Sequence, residues 1–226
     1  MDALKTIATI RSDFTTKFGI PRQSGLAAAQ LSTIVFEPEY RDENALRGLD
    51  GYSHIWLIWG FSEVKAERWS PMVKPPRLGG NKRMGVFATR SPYRPNPIGL
   101  SSVKLEGIEK RPNLGTVLIV SGADLMDGTP IYDIKPYLSF TDSHPDAKNG
   151  FAGERVSYAL KVEIPDELMA MIPQSKRDAL TESLSQDPRP AYITEPDTPF
   201  GFEYAGFDVR FKVNGDTLTV YEIIRL

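Results

Sequence analysis

YSHIWLIWGF, residues 52–61, is the stretch that decides the fold. Its side chains are apolar almost without interruption, which predicts a strand buried on both faces. On that reading His54 is a satisfied core histidine and not a ligand. Outward from it lie ALKTIATI, LSTIVFE, RMGVFAT, LSSVKLEGI and TVLIVSGADL, short β-branched or aromatic runs punctuated by Gly, Pro, Asp and Asn. RDENALRGL offers a short helix among them, with Asp42 as N-cap and Gly48 as its end. So many strands with so little helix between them argue against a doubly wound Rossmann sheet. They favour a mainly β architecture, a closed or strongly curved barrel.

The character changes near residue 164. DELMAMIPQSKRDALTESLSQDP predicts two helical pieces broken at Pro173, with Ser175 and Asp178 as a capping pair. DVRFKVNGDTLTVYEII reads as a hairpin: Val209, Phe211 and Val213 alternate with Arg210 and Lys212, and Asn214-Gly215 supplies the turn. The expected division is a barrel domain over residues 1–160 and a small α+β domain over 161–226.

With 41% hydrophobic and 25% charged residues, the chain has a globular composition. No run approaches the roughly 18 apolar residues of a membrane span, and MDALKTIATIRSDF lacks the apolar centre of a secretory signal. Cysteine is absent and only two histidines occur, which removes thiolate nucleophiles, makes zinc a poor prospect and fits a cytoplasmic protein. Neither a G-x-x-x-x-G-K-[ST] loop, a G-x-G-x-x-G turn after a strand nor a G-x-S-x-G elbow is present.

What remains is loop chemistry. GVFATRSPYRPNPIGLSS, residues 85–102, holds Pro92, Pro95 and Pro97, which fix φ, remove three amide donors and push the preceding residues toward extended backbone. The stiff segment presents Arg90, Arg94 and Asn96, and paired arginines suit carboxylate or phosphate. It is a binding loop or a plain connector. GIPRQSG sets Arg22 and Gln23 between a proline and a glycine, and Asp124 directly follows the apolar run VLIVSGA, where a strand end delivers a polar group. Charge is spread unevenly. Between Val64 and Lys104 the basic residues are Lys65, Arg68, Lys74, Arg77, Lys82, Arg83, Arg90, Arg94 and Lys104, with Glu67 as the sole acid, while the whole chain carries −2. That block suits an anionic partner such as phosphate, or it is a solvated face balanced by acids from elsewhere.

Six ordered motifs, PRQSGL, GLDGYSHIWLIWGF, PPRLGGN, MGVFATRSPYRPNPIGLSS, DLMDGTPIYDIKPYL and DPRPAY, resemble those of the TsaA/TrmO-like tRNA methyltransferases across essentially the whole chain. The resemblance implies a single-sheet β-barrel core, a homodimer and S-adenosylmethionine as methyl donor. The substrate it implies is N6-threonylcarbamoyladenosine at nucleotide 37 of threonine tRNAs, methylated on N6. Carried over by position, the cofactor pocket uses Pro21, Arg22, Gln23, Arg90, Leu100 and the strand end Ser121, Gly122, Ala123 and Asp124, with Ser62 and Glu63 after the aromatic strand.

Methyl transfer is an in-line displacement that depends on alignment and on a partner for the acceptor N–H. Asn96 or Tyr137 is the expected orienting group, and Arg77, Lys82, Arg83 and Arg94 are the expected tRNA contacts. Two alternatives stand beside this. Pro95-Asn96-Pro97 only turns the chain, or the protein is a binding module that holds S-adenosylmethionine or RNA without catalysis.

Overall fold

A computed structural model of the chain describes residues 4–64, 69–75, 82–155, 159–190, 193 and 195–226. Strands β1 (Ala8–Arg11), β2 (Leu31–Phe36) and β3 (His54–Gly60) precede a short ribbon of β4 (Met72–Val73) and β5 (Met84–Gly85). Then come β6 (Ile98–Arg111), β7 (Gly115–Ser121) and β8 (Pro130–Pro136), followed by the one-turn helix α1 (Ser139–Asp142). The fold is mainly β, as the sequence predicts. Six strands pair antiparallel in the order β1-β2-β7-β6-β3-β8, and β8 pairs back onto β1, so the sheet closes on itself. Its interior is packed by Ile10, Ile34, Ile55, Leu57, Val103 and Leu118. β6 serves two neighbours: its first half pairs with β3, its second with β7, and the register shifts between Leu105 and Gly107 at the hand-over.

Four local expectations need correction. β3 is not buried on both faces: Ile55, Leu57 and Trp59 are buried while Trp56 and Ile58 between them are half-exposed, the alternation of a sheet with one core face. His54, at the strand's start, is exposed, with its Nδ1 2.9 Å from the Ser53 hydroxyl, so it is not a core histidine. RMGVFAT keeps only Met84–Gly85 as strand before a 3₁₀ turn at Val86–Ala88. The helix expected at 41–49 is a 3₁₀ turn at Glu43–Leu46 with a second starting at Leu49; Asp42 does cap the first by accepting from the Asn44 amide at 2.9 Å, but the C-cap is Arg47, and Gly48, at φ 83°, is the N-cap of the second turn.

The C-terminal part comprises β9 (Lys161–Glu163), α2 (Asp166–Met171), α3 (Gln174–Ser185), β10 (Phe200–Tyr204), β11 (Phe207–Asn214) and β12 (Thr217–Arg225). The break at Pro173 is real, but Ser175 and Asp178 form no capping pair. Pro173 itself occupies the N-cap and starts α3, as Pro165 starts α2. In the hairpin Asn214 still pairs with Thr217, which leaves Gly215-Asp216 as the turn, one residue later than expected. Val209, Phe211 and Val213 are buried as their alternation requires.

A second core gathers these elements, and it includes a residue from far upstream. Phe14 is fully buried there, with Phe18, Ile20 and Ala29 packed against the cluster. After β1 the chain therefore crosses to the C-terminal core and returns to enter β2. Gln30 closes this excursion, fully buried: its Nε2 donates to Asp13 Oδ2 and the Leu31 carbonyl, both at 3.0 Å, and its Oε1 accepts from the Tyr204 hydroxyl at 3.1 Å. Lys176 on α3 pairs with the same Asp13 carboxylate at 2.5 Å.

Candidate active site

The extension of β7 is the anchor of the site. Gly122 has φ +73°, a conformation L side chains rarely adopt, and a Cβ there would lie 3.2 Å from the Gly25 Cα. That close approach lets the Gly25 amide donate to the Gly122 carbonyl at 2.8 Å, while the Gly122 amide donates to the Gln30 carbonyl at 2.9 Å. The PRQ-bearing segment is thus hung on the strand end. Ala123 is buried in the closed-sheet core, and Asp124 follows it.

Asp124 accepts from the Ser101 hydroxyl at 2.6 Å, and that hydroxyl accepts in turn from Trp59 Nε1 at 3.0 Å. Burial is the largest influence on the Asp124 carboxyl and raises its pKa. The Ser101 bond, its own amide, the Arg90 charge and the Ser24 amide act the other way. Arg90, exposed, donates to Gln23 Oε1, and Gln23 Nε2 donates to the Arg22 carbonyl at 2.5 Å. Arg22 faces the C-terminal part, where its Nη2 donates to the carbonyls of Asp187 and Arg189, both at 2.9 Å. Pro21 is buried at the base of this loop.

Arg22, Gln23, Arg90, Gly122 and Asp124 are therefore linked into one patch from three separate stretches of sequence. Ser62 and Glu63 are exposed after β3, tied to the proline loop through the Phe61 amide, which donates to the Pro97 carbonyl at 3.0 Å. Asn96 is exposed beside them; its carbonyl accepts from the Ile98 amide at 2.7 Å, and among the described residues its side chain bonds no other group. Arg94 folds back onto its own loop, with Nη1 donating to the Thr89 carbonyl at 3.1 Å and the Ser91 carbonyl at 3.4 Å.

Other expected members lie apart. The Leu100 side chain is 51% exposed on the face of β6 opposite Ser101, so only its backbone adjoins the patch. The Ser121 hydroxyl donates to Glu106 Oε1 at 2.6 Å and turns away from Asp124. Glu106 lines a groove of about 690 Å³ with Glu43, Arg47, Tyr52 and Glu109. Glu106, Glu43 and Glu109 already have partners in Lys104 and Ser121, Lys110 and Thr116, and Arg111, and the groove shares no lining residue with the linked patch.

Tyr137 packs against Trp56 and His54 at the start of β3. Asn96 precedes Ile98, which pairs with Gly60 at the other end of that strand. The length of β3 puts them about 20 Å apart, so they cannot serve one reacting atom within a subunit. Lys82 and Arg83 are exposed at β5, and Arg77 lies outside the described residues. Sequence reasoning missed Ser101, Trp59 and Gln30. The signal for Ser101 was a polar residue at an inward position of an apolar strand; Gln30 carried none.

Two family models match: the tRNA-methyltransferase O N-terminal domain over residues 9–143 and the TrmO C-terminal domain over residues 157–226. The chain belongs to the tRNA-methyltransferase O family. It is 39% identical to the tRNA (adenine(37)-N6)-methyltransferase of Escherichia coli K12, over 96% of this chain and 95% of that protein. A Pseudomonas aeruginosa relative, provisionally named an S-adenosylmethionine-dependent methyltransferase, is 40% identical over 92% of this chain and 91% of its own. A crystal structure of TrmO from the same organism aligns with TM-score 0.78 at 34% identity, covering 99% of this chain and 98% of that one. Within the tRNA-methyltransferase O family match, the N-terminal model spans every member of the linked patch.

Proposed function

We propose that this protein transfers a methyl group from S-adenosylmethionine to N6 of adenosine 37 in tRNA, and that the acceptor is N6-threonylcarbamoyladenosine of threonine tRNAs. The observation that carries the reading is the convergence of the PRQ segment, the proline loop and the end of β7 through Arg90–Gln23, Gly25–Gly122 and Ser101–Asp124. The reading includes a barrel methyltransferase domain over 1–160, a smaller domain over 161–226, a homodimer and a cytoplasmic setting.

The residues fit the donor's chemistry. Asp124 is a carboxylate for a cationic ammonium or a ribose hydroxyl, and Arg90 offers a guanidinium for the amino-acid carboxylate. When bound, S-adenosylmethionine supplies an electrophilic methyl on a sulfonium. The chain's part is to align and desolvate the acceptor. Its nitrogen belongs to a urea-like group with a delocalised lone pair, so a group that holds the N–H sharpens the nucleophile. The unengaged Asn96 amide at the mouth of the proline loop is suited to that, which favours an orienting role over a mere turn. Tyr137 is not its partner within a subunit. Arg94 braces the loop through Nη1 and keeps its other donors for phosphate.

The test is incubation of purified protein with labelled S-adenosylmethionine and total tRNA, followed by nucleoside analysis. Label on the hypermodified adenosine is expected. Binding of S-adenosylmethionine with no label anywhere in tRNA would instead establish a non-catalytic module. Asn96→Ala should lower kcat with S-adenosylmethionine affinity unchanged, and full methyl transfer would remove Asn96 from the mechanism.

A further inference from the structure

The β4–β5 ribbon carries a feature that methyl transfer alone does not need. Trp69 and Phe87 stack with ring centroids 6.2 Å apart and planes inclined by 22°, yet they remain 49% and 72% exposed. Two exposed rings stacked on one another form a contiguous apolar surface, the kind that marks an interaction site when it is rimmed by polar residues. The ribbon is ordered by the Met72–Gly85 and Val73–Met84 pairs, by the Val86 amide donating to the Pro71 carbonyl at 3.0 Å, and by the buried Val86 side chain. Lys74, Lys82 and Arg83 are exposed at its far end. Residues 69–75 and 82–94 contain no acid.

The ribbon also leads directly into the proline loop. The Thr89 amide and hydroxyl both donate to the Val86 carbonyl, at 3.1 and 2.8 Å, and Thr89 in turn accepts from Arg94. Aromatic faces at one end of a ribbon, with exposed cations and no acid along its described residues, continuous with the candidate target-base loop, match single-stranded nucleic acid: bases stack while phosphates meet the cations. We infer that the Trp69–Phe87 pair is a stacking platform for an unpaired nucleobase of the anticodon loop next to the methylated adenosine, with Lys82 and Arg83 on the adjoining phosphates. This rests on the tRNA reading above and deepens it.

The test measures binding of a threonine-tRNA anticodon stem-loop to wild type, Trp69→Ala, Phe87→Ala and Trp69→Phe, beside S-adenosylmethionine affinity, thermal unfolding and sedimentation. Loss of one stacked base weakens RNA binding by about tenfold to a hundredfold. The alanine variants should show that loss with S-adenosylmethionine affinity and Tm unchanged, and Trp69→Phe should retain most of the RNA binding. RNA affinity unchanged in both alanine variants would overturn the platform. If sedimentation then shifts instead, the pair is a contact between copies of this chain. If the alanine variants unfold, Trp69→Phe together with quenching of tryptophan fluorescence by the RNA decides, and no quenching overturns the platform. Wild-type protein that binds no tRNA would overturn the functional reading itself, a result distinguishable from failure of the platform alone.

Discussion

Replacing Gly122 by alanine should separate backbone strain from the docking of the PRQ segment. Gly122 sits at φ +73°, where an L residue costs about 1–2 kcal/mol. Its Cβ would also stand 3.2 Å from the Gly25 Cα and 3.3 Å from the Gly25 nitrogen, so the two backbones must part. That separation strains the 2.8 Å bond from the Gly25 amide, worth about 1 kcal/mol. Gly128 provides the internal control: its φ is +74°, but a Cβ there meets nothing within 4 Å. Gly128→Ala should therefore show the conformational cost of about 1–2 kcal/mol alone, and Gly122→Ala about 2–3 kcal/mol.

Urea unfolding gives the stabilities. At about 2–4 °C per kcal/mol for a chain of this size, thermal scans should resolve the pair. Calorimetric titration with S-adenosylmethionine then tests function. If the loosened loop must be re-docked on binding, Gly122→Ala loses about fivefold in affinity while Gly128→Ala stays near wild type. Equal destabilisation and equal affinity in the two variants would refute the claim that close approach to Gly25 organises the site.

Asp124→Asn should remove a fall in stability with rising pH. Because burial raises the folded-state pKa of Asp124 above its ordinary value of 3.8, wild-type stability falls as pH climbs from 3.8 through the raised value. The variant, lacking that titration, should gain on wild type across the same window in urea melts, while binding S-adenosylmethionine more weakly. Gln30→Leu should cost about 1–3 kcal/mol in urea unfolding, since it strips partners from Asp13, Tyr204 and the Leu31 carbonyl at a fully buried position. For Lys82→Ala/Arg83→Ala, the slope of log affinity for tRNA against log salt should fall by about 1.4, two phosphates at single-strand strength, measured by filter binding.

How much of this was legible depended on whether a signal was local. The period-2 alternation of Val209, Phe211 and Val213 and the apolar run of β3 declared strands because each strand's face is encoded within a few residues. The overestimate of β3 burial has the same origin: Trp56 and Ile58 look like core residues in sequence, but the closed sheet leaves its outer face to solvent. The proline loop announced its stiffness through φ restriction, yet not that Arg94 would spend Nη1 on the loop's own carbonyls. Contacts at long range carried no sequence mark. Asp124 with Ser101, or Gln30 with Tyr204, depend on strand register and on the crossing of residues 12–30, which only the assembled fold supplies.

That crossing has a consequence for the reaction. The segment bearing Arg22 and Gln23 is held at one side by Gly122 at the end of β7 and at the other by the C-terminal core, through Phe14, the Asp13–Lys176 pair and the Arg22 bonds to the carbonyls at 187 and 189. Neither part alone defines its path. A candidate binding segment clamped between two cores has less freedom left to lose on taking up a ligand, because its path is already fixed from both sides in the folded chain. The C-terminal part thereby acts on the candidate site through the backbone of the PRQ segment, without needing to touch the reacting atoms itself.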